Sequence, residues 1–427
     1  MRLAIDNGRV IDPASGIDAV TTLYVGGDVI AGLGEAPTGF VPERRIDADG
    51  CIVMPGVVDL AARLREPGFE HKATIASETR AAASAGITTL VCPPDTEPPI
   101  DSPAEIELIN RRAKKATGVF VYALGALTAG LKGQQLAEMA ALKRAGVPGV
   151  SNALRPMGSP LLLRRAMEYA ASHDLTIFLH PIDWSLASQG CAHEGQVASR
   201  LGLPGIPEAA ETAALGVMLA LTEQTRARVH FCRLSTARAV DMIARAQEDG
   251  LPVTADVAAH QLFLTEMDVA DFNSLCHVIP PLRTQRDRDG LRRGLKSGVI
   301  GAVCSDHQPH EADAKLAPFP ATQPGISALE TLLPLTFRLV EEGVLSLVEA
   351  VARLTTGPAQ ILGISAGALA TGRRADLCIL DPRAVCEIKP ETWLSQGRNT
   401  PFFGWSLNGV VTHTLVAGRI VHESTRT

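Results

Sequence analysis

Short apolar, β-branched runs recur through the middle of the chain and alternate with stretches rich in Ala, Leu, Glu and Arg. Such runs are typical of buried parallel strands separated by helices. The eight runs are Ile52 to Leu60, Ile87 to Cys92, Val119 to Leu124, Val147 to Asn152, Thr176 to His180, Arg228 to Arg233, Pro252 to Val257 and Ile300 to Ser305. Eight strands within about 250 residues predict an α/β fold of the (β/α)8 TIM-barrel type. A doubly wound sheet is the competing fold, but no G-x-G-x-x-G motif follows the first strand.

The two ends of the chain have a different pattern. Short alternating runs and turn residues fill the N-terminal segment, as in NGRVIDPASG, and return near the C-terminus in ADLCILDP. This pattern is typical of antiparallel strands joined by tight turns. We therefore expect residues 1–50 and 370–427 to form one small β-sandwich module beside a barrel of residues 51–369.

Composition narrows the class of protein. The chain has 427 residues, is 46% hydrophobic and 20% charged, and carries a formal net charge of −6. A net negative charge gives no general attraction for nucleic acid or anionic membranes, so neither is an expected partner. The first 25 residues are interrupted by charges, which argues against a signal peptide, and no apolar run is long enough to span a membrane. Eight scattered cysteines without a C-x-x-C pair indicate reduced thiols in a cytoplasmic protein.

A motif follows the first predicted strand. The segment VVDLAARLREPG resembles the dihydroorotase signature of the amidohydrolase superfamily, Asp-x-His-x-His followed by Leu-Arg-Glu-Pro-Gly. The frame of Asp59 and Leu64 to Gly68 is intact, but Ala61 and Arg63 stand where the family has its two histidines. The segments LHPIDW, VHFCRLSTARAV and GAVCSDHQPH resemble the family's later strand ends in the same order. The resemblance covers nearly the whole chain and implies an amidohydrolase barrel.

The resemblance also implies a metal site. In the family, zinc is held by the two first-strand histidines, a carboxylate or carbamylated lysine after strand four, a histidine after each of strands five and six, and an aspartate after strand eight. The matching positions here are Ala61, Arg63, Asn152 or Ala153, His180, Arg233 and Asp306. Catalytic zinc needs about three protein donors, and a guanidinium has no lone pair to donate. We therefore expect zinc to be lost and no cofactor to remain.

The retained residues have other expected roles. We expect Asp306, the family's catalytic base, to make charge-assisted hydrogen bonds with Arg63 or Arg233, and His180 to be a hydrogen-bonded core histidine. The family's contacts to the substrate carboxylate match Arg65, Asp95 and His310. Asp95 brings a negative charge to that position, and Ile279 replaces an asparagine of the strand-seven loop. These positions are interpreted as vestiges of a substrate site.

Three functions are compatible with this pattern. The resemblance favours a noncatalytic dihydroorotase homologue of pyrimidine biosynthesis, a structural subunit that supports assembly of aspartate carbamoyltransferase. That function implies the transferase catalytic subunit as a partner, in homo- and hetero-oligomers. The second is an active dihydroorotase or related cyclic amidohydrolase with an atypical metal site. The third is a metal-independent barrel that binds an anionic metabolite through Arg63, Arg65 and Arg233.

Overall fold

The structure is a computed structural model that describes residues 1–116 and 118–424. Its strands are β1 Arg2–Asp6, β2 Arg9–Asp12, β3 Ile17–Val20, β4 Leu23–Gly26, β5 Val29–Leu33, β6 Arg44–Asp47, β7 Ile52–Pro55, β8 Val57–Asp59, β9 Ile87–Cys92, β10 Phe120–Ala123, β11 Gly125–Ala126, β12 Gly149–Ser151, β13 Thr176–Leu179, β14 Ala192–His193, β15 Gly205–Ile206, β16 Val229–Phe231, β17 Val253–Ala258, β18 Ala302–Cys304, β19 Leu377–Glu387, β20 Ser406–Val416 and β21 Arg419–Glu423. Its α-helices are α1 Ile75–Ser84, α2 Pro103–Lys115, α3 Met139–Arg144, α4 Pro160–Ser172, α5 Trp184–Ala187, α6 Gln196–Leu201, α7 Glu208–Thr225, α8 Ala237–Glu248, α9 Gln285–Ser297, α10 Leu329–Glu341, α11 Leu347–Leu354 and α12 Thr356–Leu362. Short 3₁₀ turns lie at Ala129–Leu131, Ala259–Leu262, Glu266–Phe272, Ser274–Cys276, Ala312–Lys315 and Phe319–Ala321.

Many of the longer helices begin at a Ser or Thr whose hydroxyl caps the first turn. The capping side chains of α1, α2, α4, α8 and α9 belong to Thr74, Ser102, Ser159, Thr236 and Thr284, and each accepts a hydrogen bond from a backbone N–H. Each such cap contributes about 1 kcal/mol to helix stability. The caps fix where each helix starts after the preceding strand and loop.

The parallel strands form two sheets, of order β10-β9-β8 and β11-β12-β13-β16-β17-β18. Helices cover these sheets, with α1 on β9, α4 on β13 and α8 on β17. The isolated parallel bridge between Ala62 and His307 joins the edge at β8 to the edge at β18, and Leu124 alone separates β10 from β11 in the chain. Within residues 1–116 and 118–424 the strands do not form one continuous closed ladder.

The first predicted strand, Ile52 to Leu60, is wrong in one respect, because Gly56 divides it. β7 pairs with β2 and β19, whereas β8 pairs with β9. A Cβ atom at Gly56 would lie 2.2 Å from the side chain of Thr88, so a larger residue would force the two strands apart. The chain thus passes at Gly56 from one sheet to another.

The two ends of the chain meet in one shared sheet. One sheet has the order β5-β4-β1-β6, and the other has the order β21-β20-β19-β7-β2-β3, which combines N-terminal and C-terminal strands. A buried apolar cluster draws on both sheets and includes Leu3, Ile5, Val25, Leu377 and Leu415. The domain boundaries at 50 and 370 stay a prediction.

No helix in the described part of the chain is long and apolar enough to cross a membrane. The eight cysteines are free thiols, and all but Cys386 are buried. The large side chains of Phe178 and Phe231 are almost fully buried on β13 and β16. Each such side chain contributes about 1.5–3 kcal/mol to stability when buried.

Candidate functional site

Three residues from the predicted metal positions meet at the C-terminal ends of the barrel strands. Arg63 follows β8, Arg233 follows β16 and Asp306 follows β18. The side chains of all three are at most 8% exposed. Arg233 Nε lies 3.3 Å and Arg63 Nη1 lies 3.7 Å from the same Asp306 Oδ1 atom. We call these three residues the ion cluster.

The predicted ion pairs of Asp306 are present, but its predicted hydrogen bonds to the arginines are not formed. Oδ2 of Asp306 accepts a hydrogen bond from Gln308 Nε2 at 3.0 Å, and Oδ1 has no hydrogen-bond partner in the described chain. Burial raises the pKa of Asp306 above its usual value, although the charges of Arg233 and Arg63 oppose that shift. Burial is the largest single influence on Arg233 and opposes its charge, but Asp306 and the other nearby acidic groups, including Asp256, together outweigh burial and raise the pKa of the guanidinium. The cluster is held by Coulombic attraction in a dry environment.

Asp95 extends the ion cluster. Arg63 Nε donates a hydrogen bond of 2.8 Å to Asp95 Oδ2. Burial alone would raise the pKa of Asp95, but the charge and hydrogen bond of Arg63 hold it below its usual value. Asp95 was expected to repel a ligand carboxylate, yet its charge is already compensated inside the protein. Two buried guanidiniums therefore face two carboxylates.

Backbone conformation marks the same positions. Arg233 has φ 54° and Asp306 has φ 47°, both in the left-handed region that residues other than glycine seldom adopt. Ala153 has φ 48° and shares this conformation at the end of β12, whereas Asn152 does not. Strain of this kind clusters at functional sites and persists only where the surrounding structure enforces it. Of the two residues predicted for the end of the fourth strand, Ala153 and not Asn152 therefore shares the backbone conformation of Arg233 and Asp306.

Asn152 has a structural role instead. Its Oδ1 accepts a hydrogen bond of 2.7 Å from Thr128 Oγ1, and its Nδ2 donates to the carbonyl oxygens of Arg155 and Pro156. The amide is thereby used on both sides, and it orders the loop after β12. Ala61 is 4% exposed and offers only a methyl group.

His180 is buried, but the expectation of a hydrogen-bonded core histidine is wrong. Neither of its ring nitrogens has a hydrogen-bond partner among the described residues. Burial first, and then the charges of Arg233 and Arg63, lower its pKa well below the usual value. His260, which lies in no motif of the sequence, has an unpartnered Nδ1 and a pKa lowered to about 3 by burial and Arg233. Both imidazoles are therefore neutral and lie in the field of Arg233.

A polar network beneath Arg233 fixes its position. Asp256 Oδ1 accepts a hydrogen bond from the backbone N–H of Arg233, and Asp256 Oδ2 lies 3.0 Å from His230 Nε2. His230 Nδ1 in turn lies 2.8 Å from Thr254 Oγ1. The donor atoms of His230, Cys232 and Asp256 lie within 4.8 Å of one another, a spacing that suits a metal. Because protein groups already occupy both nitrogens of His230 and both oxygens of Asp256, this triad serves as an internal support.

The predicted substrate positions Arg65 and His310 are in contact. Arg65 Nε donates to Pro309 O at 3.0 Å, and Arg65 Nη2 lies 3.1 Å from His310 Nε2. Lys72, which sequence reasoning missed, places its Nζ 3.3 Å from His310 Nδ1. Burial, followed by the charges of Arg65 and Lys72, lowers the pKa of His310 to about 2, and burial lowers the pKa of Arg65 to about 10. This corner of the site therefore holds a neutral imidazole between two cationic side chains.

The first strand end and the last are tied together by the intact motif. Asp59 Oδ1 accepts a hydrogen bond of 2.9 Å from the backbone N–H of Ser305, and Asp59 Oδ2 accepts one from the Ser305 hydroxyl. Gly68 has φ 99°, and a Cβ atom there would lie 2.4 Å from Glu97 O. Asp59 and Gly68 are thus required by the backbone geometry whether or not the site works.

The donor set does not fit a zinc centre. Of the matched positions only His180 and Asp306 carry atoms that can ligate zinc, and Asp306 already faces two guanidiniums. Zinc sites use Cys, His, Asp or Glu donors, and catalytic sites need about three of them. Two permanent positive charges within 4 Å of the retained carboxylate would also repel a divalent cation. No reaction step through a metal can be derived from these residues.

The chain is similar to known proteins along nearly its whole length. A dihydro-orotase-like family model matches residues 50–239, and an amidohydrolase family model matches residues 329–422. The chain is 53% identical over 422 residues to a dihydroorotase-like protein of Pseudomonas putida, with 99% of each chain covered. A dihydroorotase-like protein of Pseudomonas aeruginosa is 50% identical over 423 residues, covering 99% of this chain and all of that protein. A dihydroorotase of Syntrophotalea carbinolica is 43% identical over 423 residues, with 99% of each chain covered.

Solved structures show the fold. An L-hydantoinase of Arthrobacter aurescens superposes with a TM-score of 0.89 at 24% identity and covers 99% of this chain and 96% of its own. A D-hydantoinase structure superposes with a TM-score of 0.85 at 24% identity, covering 99% and 95%. At these identities the likeness concerns fold alone, and the fold is the TIM-barrel α/β fold that the eight apolar runs predict.

Proposed function

Because the chain belongs to the dihydroorotase-like family of amidohydrolases, we propose that it is a member without metal-dependent hydrolysis that serves as a structural subunit. The observation that carries this proposal is the ion cluster. Arg63 and Arg233 stand at positions of zinc-binding histidines and neutralise Asp306, the retained carboxylate. Without a bound metal, water keeps a pKa near 15.7 instead of about 7, so no hydroxide forms at neutral pH to attack a cyclic amide.

The proposed partner is the catalytic chain of aspartate carbamoyltransferase, which places the protein in pyrimidine biosynthesis in the cytoplasm. This partner rests on the resemblance to pseudo-dihydroorotase subunits. We propose further that the parallel strands close into a barrel and that the two terminal sheets pack as a β-sandwich. Such a scaffold retains its shape without a metal, since the ion cluster and Asp95 together carry two positive and two negative charges.

Two measurements test the proposal. We expect no stoichiometric zinc by elemental mass spectrometry and no hydrolysis of dihydroorotate by the purified chain. The dihydroorotase of Syntrophotalea carbinolica, purified in parallel, is the positive control for both assays. Stoichiometric zinc together with turnover would contradict the proposal and establish the alternative of an active cyclic amidohydrolase with an atypical metal site.

Association with the transferase is tested separately. We expect the transferase catalytic chain to co-purify with this protein from the native host and to lose activity when this protein is deleted. Independent purification of a fully active transferase would refute the structural role. That result would leave the absence of hydrolysis untouched.

A second candidate function is anion binding, which Arg65 favours. Arg65 has no carboxylate within 4.0 Å in the described chain; its polar neighbours are Pro309 O and His310, and Lys72 lies on the other side of that imidazole. Dihydroorotate and orotate, with one negative charge, and carbamoyl aspartate, with two, are anions that can pair with Arg65, whose charge Asp95 and Glu311 offset only from beyond 4.0 Å. A ligand at 100 times its Kd stabilises the fold by about 2.7 kcal/mol, so thermal shift detects it. Arg65→Met should abolish the shift, and an unchanged melting temperature of the native chain with all three compounds would exclude this function.

A further inference from the structure

A cavity of about 340 Å³ opens beside the ends of β12 and β13. Helices α4 and α5 both pack on α7, and residues of all three helices line the space. Small-molecule sites in proteins usually have volumes of about 300–1,000 Å³. Neither Arg65 nor a residue of the ion cluster belongs to the lining. We call this space the side cavity.

The walls of the side cavity are mainly apolar. Met157, Met218 and Trp184 line it and are partly exposed, whereas the lining residues Leu163 and Phe178 are buried. Thioether sulfur makes favourable contacts with aromatic rings, and an indole offers an edge and a face for another ring. These walls therefore suit an aromatic group.

The charged residues of the lining are one cation and one anion, Arg155 and Asp183. Arg155 is exposed, and its guanidinium has no ion pair or hydrogen bond among the residues that the structure describes. Asp183 Oδ1 accepts hydrogen bonds from the backbone N–H groups of Ser185 and Leu186, whereas Oδ2 accepts none within residues 1–116 and 118–424. The hydrogen bond from the Ser185 hydroxyl, helped by the two backbone bonds, lowers the pKa of Asp183 below its usual value. The two opposite charges favour a ligand that carries both signs.

The third polar group of the side cavity is the neutral imidazole of His180. This residue is 8% exposed, and neither of its ring nitrogens has a hydrogen-bond partner in the described chain. A neutral imidazole offers one N–H donor and one acceptor nitrogen. Because buried polar groups are almost always hydrogen-bonded, a hydroxyl or N–H group on a ligand would satisfy His180.

Both charged residues lie on segments that are held in place. Asn152 Nδ2 donates hydrogen bonds to the carbonyl oxygens of Arg155 and Pro156, which fixes the loop after β12. The backbone N–H of Asp183 donates a hydrogen bond of 2.7 Å to Ala210 O on α7. A backbone that is ordered before binding reduces the entropy lost when a ligand binds.

We propose that the side cavity binds an aromatic α-amino acid whose ring carries a hydrogen-bonding group, such as tyrosine. The carboxylate of the ligand pairs with Arg155, and its ammonium group pairs with Asp183. The ring lies between the methionines and Trp184, and its hydroxyl bonds to His180. A carboxylic acid without the amine would leave Asp183 facing a like charge, and an amine without the carboxylate would do the same to Arg155. The inference goes beyond the proposed structural role and does not depend on it.

The test is isothermal titration calorimetry of the purified full chain with L-tyrosine, for which we expect saturable binding of one molecule per chain. Three analogues each lack one group: L-phenylalanine lacks the hydroxyl, tyramine lacks the carboxylate, and 3-(4-hydroxyphenyl)propanoate lacks the amine. Each analogue should bind at least tenfold more weakly, because a site built for a polar group rejects a ligand without it. R155M should weaken binding of L-tyrosine at least tenfold and abolish its advantage over tyramine, since both changes remove the same ion pair.

Two control variants locate the site. R165M changes an arginine that is 60% exposed on α4 and does not line the side cavity, and R65M changes the cation at the barrel mouth. Both should bind L-tyrosine like the unmodified chain. Loss of binding in R65M would place the ligand at the barrel mouth and overturn the proposal.

Three other results would overturn it as well: no saturable binding of L-tyrosine, equal binding by a folded R155M variant, or equal binding of L-tyrosine and tyramine. Circular dichroism and melting temperature verify that R155M, which changes an exposed residue, is folded. None of these results bears on zinc content, dihydroorotate turnover or association with the transferase, so the proposed function is tested independently.

Discussion

Replacing Asp306 by Asn removes the carboxylate that Arg63 and Arg233 share and preserves its size. Asp306 is 2% exposed, and Arg233, at 3.3 Å, has no closer carboxylate ion pair in the described chain. Arg63 keeps Asp95 at 2.8 Å. The substitution therefore leaves the guanidinium of Arg233 buried and uncompensated.

The size of the effect follows from distance and burial. Two unit charges 3.3 Å apart attract by about 5 kcal/mol at an effective dielectric constant of 20. Removing one partner of a buried pair typically destabilises a protein by about 3–5 kcal/mol, because the other charge remains desolvated. We expect D306N to lower the free energy of unfolding by this amount. The exposed pair of Arg9 and Asp18 supplies the control, and D18N should cost less than about 1 kcal/mol.

Urea unfolding followed by circular dichroism measures both variants and completes a double-mutant cycle. R233M alone should also be destabilising, because it leaves Asp306 with only the more distant Arg63. R233M/D306N should be more stable than the sum of the single effects predicts, by about 2 kcal/mol or more. An unfolding free energy of D306N within about 1 kcal/mol of the native chain, or additive effects in the cycle, would refute the reasoning.

Three further substitutions test the described geometry by chemical unfolding. The pKa of His260 is about 3 in the folded state and near 6.5 in the unfolded state. On acidification the unfolded state therefore takes up a proton first, and the free energy of unfolding falls. H260Q should remove about 2 kcal/mol of this loss of stability between pH 8 and pH 5. The carboxylate of Glu330, on α10, accepts hydrogen bonds from the backbone N–H groups of Leu394 and Ser395, and burial raises its pKa to about 7. Its contribution to stability therefore falls as the pH rises from 4.5 to 7, and the stability difference between E330Q and the native chain should change by about 3 kcal/mol from pH 4 to pH 8. A constant difference would contradict the assignment. G68A should destabilise by at least about 1–3 kcal/mol, because its Cβ atom would meet Glu97 O at φ 99°, and a neutral result would show that the loop can shift.

The sequence predicts the positions of the barrel strands well because each strand is a short apolar run flanked by polar or turn-forming residues. It does not predict the break at Gly56, since the apolar character of Ile52 to Leu60 is continuous and the cause is a neighbour, Thr88, in another strand. The glycine after Pro55 was the available signal. The apolar pattern of a strand shows that the strand is buried. Which sheet the strand joins depends on its pairing with residues far away in the sequence.

The candidate site was only partly visible in the sequence. The order of the motifs located Arg63, Arg233 and Asp306 at neighbouring strand ends. Lys72 and His260 were missed because they lie on loops whose spacing from the motifs carries no geometric information. The predicted hydrogen bonds of His180, and of Asp306 to the two arginines, are not formed. Such bonds depend on side-chain orientation, which residue identity does not specify.

The shared carboxylate of the ion cluster constrains how this barrel could evolve. Changing either arginine to histidine removes one of the two cations that face Asp306 before any third metal ligand is available. Each single substitution toward a metal-ligating set is therefore expected to give a less stable protein, whereas replacements that keep the charge pairing are better tolerated. A pocket held together by internal salt links is therefore costly to convert one residue at a time, whereas substitutions on the outer surface of the same fold meet less resistance.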